Sequence, residues 1–171
     1  TGVPPAAGAL LVKAARDAFL VTCEHGGNRV PPTYRPLFRG QRARLDSHRG
    51  YDPGALVMAR ALAGALGAPL VASTTTRLLI DLNRSLGHPQ LFSAATRRVP
   101  ASVRSRIVTR YYRPHRDAVE HHVMQATSRG RRVIHIASHS FTPVLDGRVR
   151  DADVGLLYDP GRRGESALCT R

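Results

Sequence analysis

Three short apolar runs in this chain each end abruptly in a cluster of polar residues, and that pattern restricts the fold more than any other feature. Phe19 to Cys23 leads into Glu24-His25-Gly26-Gly27-Asn28, Leu78 to Ile80 into Asp81-Leu82-Asn83-Arg84, and Val133 to Ala137 into His139-Ser140-Phe141. A fourth cluster, Asp46-Ser47-His48 with Asp52 close behind, lies in a basic connection. Short apolar runs bounded by turn signals read as buried strands. In an α/β protein the carboxyl ends of neighbouring strands face one crevice, and ligands bind there.

The rest of the chain fits that plan. Residues 6–16 are rich in Ala and Leu and read as a short helix or a loosely packed arm. Pro31-Pro32 interrupts regular structure, and 33–50 reads as an irregular basic connection. Asp52-Pro53 is a helix-start pattern, with Asp52 as N-cap and proline at the first helical position. The helix is expected from Ala55 to Leu66, with Leu56, Ala59, Leu62, Ala63 and Leu66 on one face and a stop at Gly67. Pro69 to Thr74, Arg77 to Leu82 and Val154 to Tyr158 read as further strands. Residues 100–128 read as one helical stretch, kinked or broken at Pro114. Strands alternating with helices predict an α/β fold, a three-layer sandwich in which helices flank a mostly parallel or mixed central sheet.

At 171 residues the chain is expected to form one domain over its whole length. No apolar run nears the roughly 18 residues of a membrane span, and the start carries no signal-peptide pattern. Two cysteines, Cys23 and Cys169, do not make a disulfide framework, so a reducing, cytoplasmic setting is expected. Cys23, inside an apolar run, reads as a small core residue. The formal net charge is +14, carried almost wholly by arginine. Such a balance invites a nucleic-acid partner, but the arginines are scattered and lack interleaved aromatics. Neither nucleic acid nor membrane is the expected partner.

The polar clusters carry the chemistry, and each has a plain alternative. His25, at a strand end beside a carboxylate and two glycines, reads as a metal ligand or as a cap on its turn. Asp46, His48 and Asp52 offer a metal ligand, a carboxylate that orients a ligand histidine, or a general base; a solvated loop and a helix cap are the alternatives. Arg77 with Asp81, Asn83 and Arg84 reads as a carboxylate clamp or as a structural ion pair at a strand end. His139 ends the best strand and reads as a ligand. His135, in register with it, reads as a buried hydrogen-bonded histidine, and His121-His122 as solvated surface. No GxSxG elbow, phosphate-binding glycine loop or HExxH is present. Together the clusters suggest a metal hydrolase that holds an anionic substrate.

In this order the motifs resemble the N-formylglutamate amidohydrolase family. The matching segments are residues 21–31, from Val21 to Pro31; 46–55, from Asp46 to Ala55; 77–85, from Arg77 to Ser85; Tyr111-Tyr112-Arg113-Pro114-His115; and 135–143, from His135 to Pro143. The Glu-His-Gly-Gly form is similar to a branch described only as amidohydrolases. The family is similar in fold to zinc-dependent exopeptidases, which implies a divalent metal, zinc, between His25 and His139. It also implies that Asn83, Arg84 and Arg77 hold the substrate carboxylate. Those exopeptidase relatives carry His-x-x-Glu, whereas Asn28 stands at that place here. The third ligand is therefore expected from His48, with Asp46 or Glu24 as alternatives. The relatives also bring a catalytic glutamate from a later segment, so the resemblance implies a domain that continues past Arg171.

These readings give one expectation: a metal-dependent hydrolase cleaving the amide of a small N-formyl or N-acyl amino acid. His25, His48 and His139 are the expected ligands. Glu24, Asp46 and Asp52 are the expected catalytic acids, with Glu24 or Asp52 as general base. His115 is expected to touch the acyl group or the oxyanion. A homo-oligomer is compatible with this reading. The alternatives are a small-anion-binding relative without catalysis and a basic nucleic-acid-binding protein.

Overall fold

The computed structural model describes residues 17–145 and 147–170. The helix or arm expected over 6–16 lies outside them. The described residues fall into two compact units, one ending at Phe141 and one beginning at Thr142.

The first unit is built on three parallel strands, β1 (Asp17–Cys23), β2 (Leu70–Ala72) and β3 (Arg132–Ala137), in the order β2-β1-β3. A parallel strand covered on both faces should read as a continuous apolar run, and the central strand does so, with Leu20 and Val21 fully buried. Helix α2 (Ala55–Leu66) packs on β1 and β2, and its Ala55, Ala59 and Ala63 bury against Val21 and Cys23. Small residues let helix and sheet approach closely. Leu56, Leu62 and Leu66, expected in the same stripe, flank it half-buried. Helix α4 (Arg113–Thr127) packs on β3, β1 and β2. The fold is thus an α/β sandwich with a parallel sheet between helices.

In the first unit three expectations differ. Residues 77–82 form turns rather than a strand, although Leu78, Leu79, Ile80 and Leu82 are all buried. They join Tyr34, Phe38, Leu91, Ile107 and Tyr112 in a second apolar cluster. Each such side chain contributes roughly 1.5–3 kcal/mol on full burial, which is enough to fix turns without a strand ladder. Asp52 is not the N-cap of α2. Gly54, in the left-handed region at φ 81°, takes that place, which leaves the Asp52 carboxylate free to turn elsewhere. The helical stretch is also not broken at Pro114. Helix α3 (Ala101–Ile107) passes through a π-helical turn, Val108–Tyr112, into α4. The wider turn accommodates a proline that has no N–H to donate.

The connection over 33–50 holds a 3-10 segment, Pro32–Phe38, and a one-turn helix α1 (Arg42–Leu45). The second unit contains a hairpin, β4 (Val144–Leu145) with β5 (Arg148–Val149), and helix α5 (Arg163–Cys169). The strand expected over 154–158 is absent there. That stretch is irregular and Leu157 is fully exposed. An apolar run becomes a strand only when a partner strand accepts its backbone. No described helix is long and apolar enough to cross a membrane.

Candidate active site

Backbone bonds bring the polar clusters together beyond the carboxyl ends of β1 and β3. The Gly26 N–H donates to Ser73 O at 2.9 Å and the Arg29 N–H to Thr74 O at 3.0 Å, so the turn after β1 lies against the segment after β2. A Cβ at Gly27 would sit 2.8 Å from Thr74 O, so only glycine allows this approach. The Asp52 N–H donates to His25 O at 2.9 Å. Ser138 ties the end of β3 to α2, its hydroxyl donating to Ala55 O at 2.9 Å.

His25 is 1% exposed and lies between two carboxylates. Its Nε2 donates to Asp81 Oδ1 at 2.8 Å, and its Nδ1 lies 3.4 Å from Asp52 Oδ2. The same Asp52 oxygen is 2.8 Å from His139 Nδ1. Asp81 also accepts from the Asn83 N–H at 3.0 Å and from Arg77 at 2.8 Å. Arg77 reaches Asp52 as well, at 3.5 Å. On the other side of His139, Glu24 Oε2 lies 3.6 Å from His139 Nε2, while Glu24 Oε1 lies 3.5 Å from His115 Nε2. Glu24 is 6% exposed, yet its Oε2 accepts no hydrogen bond from any described residue.

Seven groups therefore form one chain from His115 through Glu24, His139, Asp52, His25 and Asp81 to Arg77. Burial alone would raise the carboxyl of Glu24, but the adjoining His115, Thr22 and backbone donors hold it down to about 2. Asp81 is likewise pushed up by burial and brought down to about 2 by His25 and Arg77. Asp52 lies well below the usual carboxylate range, because hydrogen bonds from His139 and His25 outweigh its burial. Burial opposes charge on His25, yet Asp52 and Asp81 together raise it above its ordinary value. Burial pushes the Cys23 thiol up to about 11, as suits a core residue.

A depressed carboxyl stabilises the fold above its unfolded pKa, and that contribution is lost as pH falls through its folded one. The metal-free chain is therefore expected to lose stability steeply as pH drops from about 4.5 towards 2. Urea unfolding midpoints along that range check this. Glu24→Gln should flatten the slope, since Gln has no proton to take up.

The remaining expected site residues lie elsewhere in this arrangement. Asp46 accepts from Asn28 Nδ2 at 2.8 Å and pairs with the exposed Arg42. His48 is half-buried, with an Nε2 that has no hydrogen-bond partner among the described residues, and is outside the His25, Asp52 and His139 group. Asn83 is exposed and Arg84 half-buried, and the Arg84 carbonyl accepts from the Tyr112 hydroxyl at 2.8 Å. No described residue pairs with the Arg84 guanidinium. His135 lies 2.9 Å from the Thr22 hydroxyl, as a hydrogen-bonded histidine should, but on an exposed position of β3.

Among the described residues, His25, Asp52 and His139 offer three ligand atoms within 4.8 Å of one another. Two imidazoles and a carboxylate suit zinc, and Asp81 orients His25 as outer carboxylates orient metal-bound imidazoles. Three carboxylates meet one guanidinium here, so with neutral imidazoles the paired groups sum to −2. One divalent cation balances that charge.

A family model described as N-formylglutamate amidohydrolase matches residues 17–169. The crystal structure of a gene product from Agrobacterium tumefaciens is similar, with a TM-score of 0.75 and 32% sequence identity, over 83% of this chain and 59% of that one. The chain thus spans less than two thirds of that structure's length. No match was found among curated proteins.

Proposed function

We propose, since this chain belongs to the N-formylglutamate amidohydrolase family, that it hydrolyses the amide of a small N-formyl or N-acyl amino acid with the help of a divalent metal, zinc. The observation that carries the reading is the buried group of His25, Asp52 and His139 within 4.8 Å, in a cluster whose charge a divalent ion neutralises.

When bound, such an ion polarises the amide carbonyl and makes water a nucleophile at neutral pH. His25, Asp52 and His139 would hold it. Asp81 fixes the ring of His25 by accepting from Nε2, which leaves Nδ1 as the ligand atom. Arg77 is engaged by both Asp52 and Asp81, so its first task is to keep those carboxylates ionised and in place. That leaves Arg84, whose guanidinium pairs with no described residue, and Asn83 as the groups for the substrate carboxylate. Glu24 is the proton acceptor, since its Oε2 is buried beside His139 and accepts no hydrogen bond from a described residue. The partner is a small anionic molecule, and the compartment that suits free thiols is the cytoplasm.

Zinc analysis and N-formyl-L-glutamate hydrolysis test the reading together. One zinc per chain is expected, with turnover that chelation removes and zinc restores. Arg84→Ala should raise KM for the N-acyl amino acid with little change in kcat, and by far less for a neutral amide analogue. A chain that takes up no divalent metal in excess zinc would be a binding relative without this chemistry.

A further inference from the structure

His115 is linked to the His25, Asp52 and His139 group through Glu24, and how the fold delivers it argues for a defined task. We infer that His115 is a positioning residue acting through Glu24: it fixes one oxygen of the carboxylate so that the other stays aimed at His139. The inference rests on the reading of Glu24 as proton acceptor, and it replaces the expectation that His115 touches the substrate.

Three observations carry it. The first is the bracket around Glu24. His115 Nε2 is 3.5 Å from Oε1, and His139 Nε2 is 3.6 Å from Oε2. Both side chains of the Glu24–His115 pair are more than nine-tenths buried. A carboxylate flips and swings readily when nothing holds it. With an imidazole beside one oxygen, the other, which accepts no hydrogen bond from a described residue, keeps its direction towards His139.

The second is the route by which His115 arrives. The π-helical turn Val108–Tyr112 immediately precedes α4, with Pro114 at its first turn. A π turn holds one residue more than an α turn, so everything after it is rotated by about 100° round the helix axis. That rotation places His115 on the buried side, beside Tyr112, whose hydroxyl donates to Arg84 O. The helix gives up regular hydrogen bonding at the point where these two side chains must turn inwards.

The third is the sheet. On β1 Thr22 points to the face opposite Val21 and Cys23, which α2 covers, and Glu24 follows in the turn directly after the strand. The Thr22 hydroxyl lies 2.9 Å from His135 Nε2, diagonally across the β1–β3 ladder, in which Ala137 is the residue opposite Thr22. Glu24 Oε1 lies 3.5 Å from His115 Nε2, and among the described residues His115 is the α4 side chain that pairs with it.

The test uses the full chain loaded with zinc and the variants His115→Ala, His115→Gln, Glu24→Gln and the double variant H115A/E24Q. His115→Ala is expected to lower kcat about 10- to 100-fold, as loss of an orienting partner does, with KM nearly unchanged. His115→Gln should recover part of that loss. The double variant should be no slower than Glu24→Gln alone. A raised KM at unchanged kcat, or fully additive losses, would overturn the inference in favour of a substrate contact. Lower thermal stability with kcat per folded molecule unchanged would overturn it in favour of a purely structural role. A urea-unfolding cycle on the same four proteins without metal reads the pairing apart from activity. Zero coupling between the two positions overturns the inference even in an active enzyme. Clear coupling in a chain that hydrolyses no N-acyl amino acid supports the pairing and counts against the proposed function alone.

Discussion

Asp52→Asn is expected to abolish the proposed uptake of a divalent metal, whereas His48→Ala is expected to leave it intact. Asp52 Oδ2 lies within 3.4 Å of His25 Nδ1 and 2.8 Å of His139 Nδ1, so one oxygen faces both candidate ligand histidines. His48 stands outside that group. Asn keeps the size and shape of Asp but removes the charge and leaves a poor zinc ligand. The cluster then carries one negative charge fewer against a doubly charged ion. Loss of a partner one bond removed from a metal already costs about 10- to 100-fold in affinity, and loss of a ligand should exceed that. Titration against a competing chelator reads the difference directly. The opposite pattern, with affinity lost in His48→Ala and kept in Asp52→Asn, would return His48 to the ligand set. Affinity should also fall as pH is lowered, because protons and metal compete for the same imidazoles and carboxylate.

Gly50→Ala is expected to destabilise the chain by about 3 kcal/mol or more, the upper part of the range for overpacking. A Cβ there would lie 2.1 Å from Leu45 O, 2.7 Å from Leu45 C and 2.8 Å from Leu45 Cα. All three atoms are backbone, so no side chain can swing away. Gly50 O also accepts from Thr76 Oγ1 at 2.9 Å and from the Arg77 N–H at 3.1 Å. A shift would therefore move Arg77 and, two residues on, Asp52. A change of that size lowers Tm by roughly 6–12 °C in a chain of this length. Gly64→Ala is the control of opposite sign. Gly64 lies inside α2 with nothing within 4 Å of an added Cβ, so alanine should gain about 1 kcal/mol of helix propensity. Thermal unfolding of the two variants beside the parent checks both.

The parts of the fold that were legible in the sequence are those where local pattern and tertiary role agree. Phe19 to Cys23 and Val133 to Ala137 both pair as parallel strands; the first is a continuous apolar run covered on both faces, and the second is an edge strand with no buried residue. The Leu78 to Leu82 run is equally apolar, and its burial was readable but its form was not. Short apolar runs look alike whether they pair in a ladder or plug a loop cluster. The dipeptide Asp52-Pro53 misled for a related reason. It has every local mark of a helix start, but two acceptable starts lay close together, and Gly54 took one. What decided between them was a pair of imidazoles 27 and 87 residues away in the chain. No window around Asp52 contains that information. The site was legible as a set of ends of runs, and His25 and His139 do meet. The partners of each were not legible: Asp81 on His25, Glu24 between two histidines, and Asp46 turned to Asn28.

The pairing of β1 with β3 also has a consequence for how the site comes into being. Asp17 lies opposite Arg132 and Thr22 opposite Ala137, so the central strand finds this neighbour only after more than a hundred residues of intervening chain. Contacts that far apart in sequence are slow to form, because closing the loop precedes any reward for doing so. β2 and α2 can settle on β1 early, and His25 and Asp52 meet with them. His139 arrives only with β3. A metal ion or dye that needs both histidines would then report the last step of assembly and be silent about everything before it.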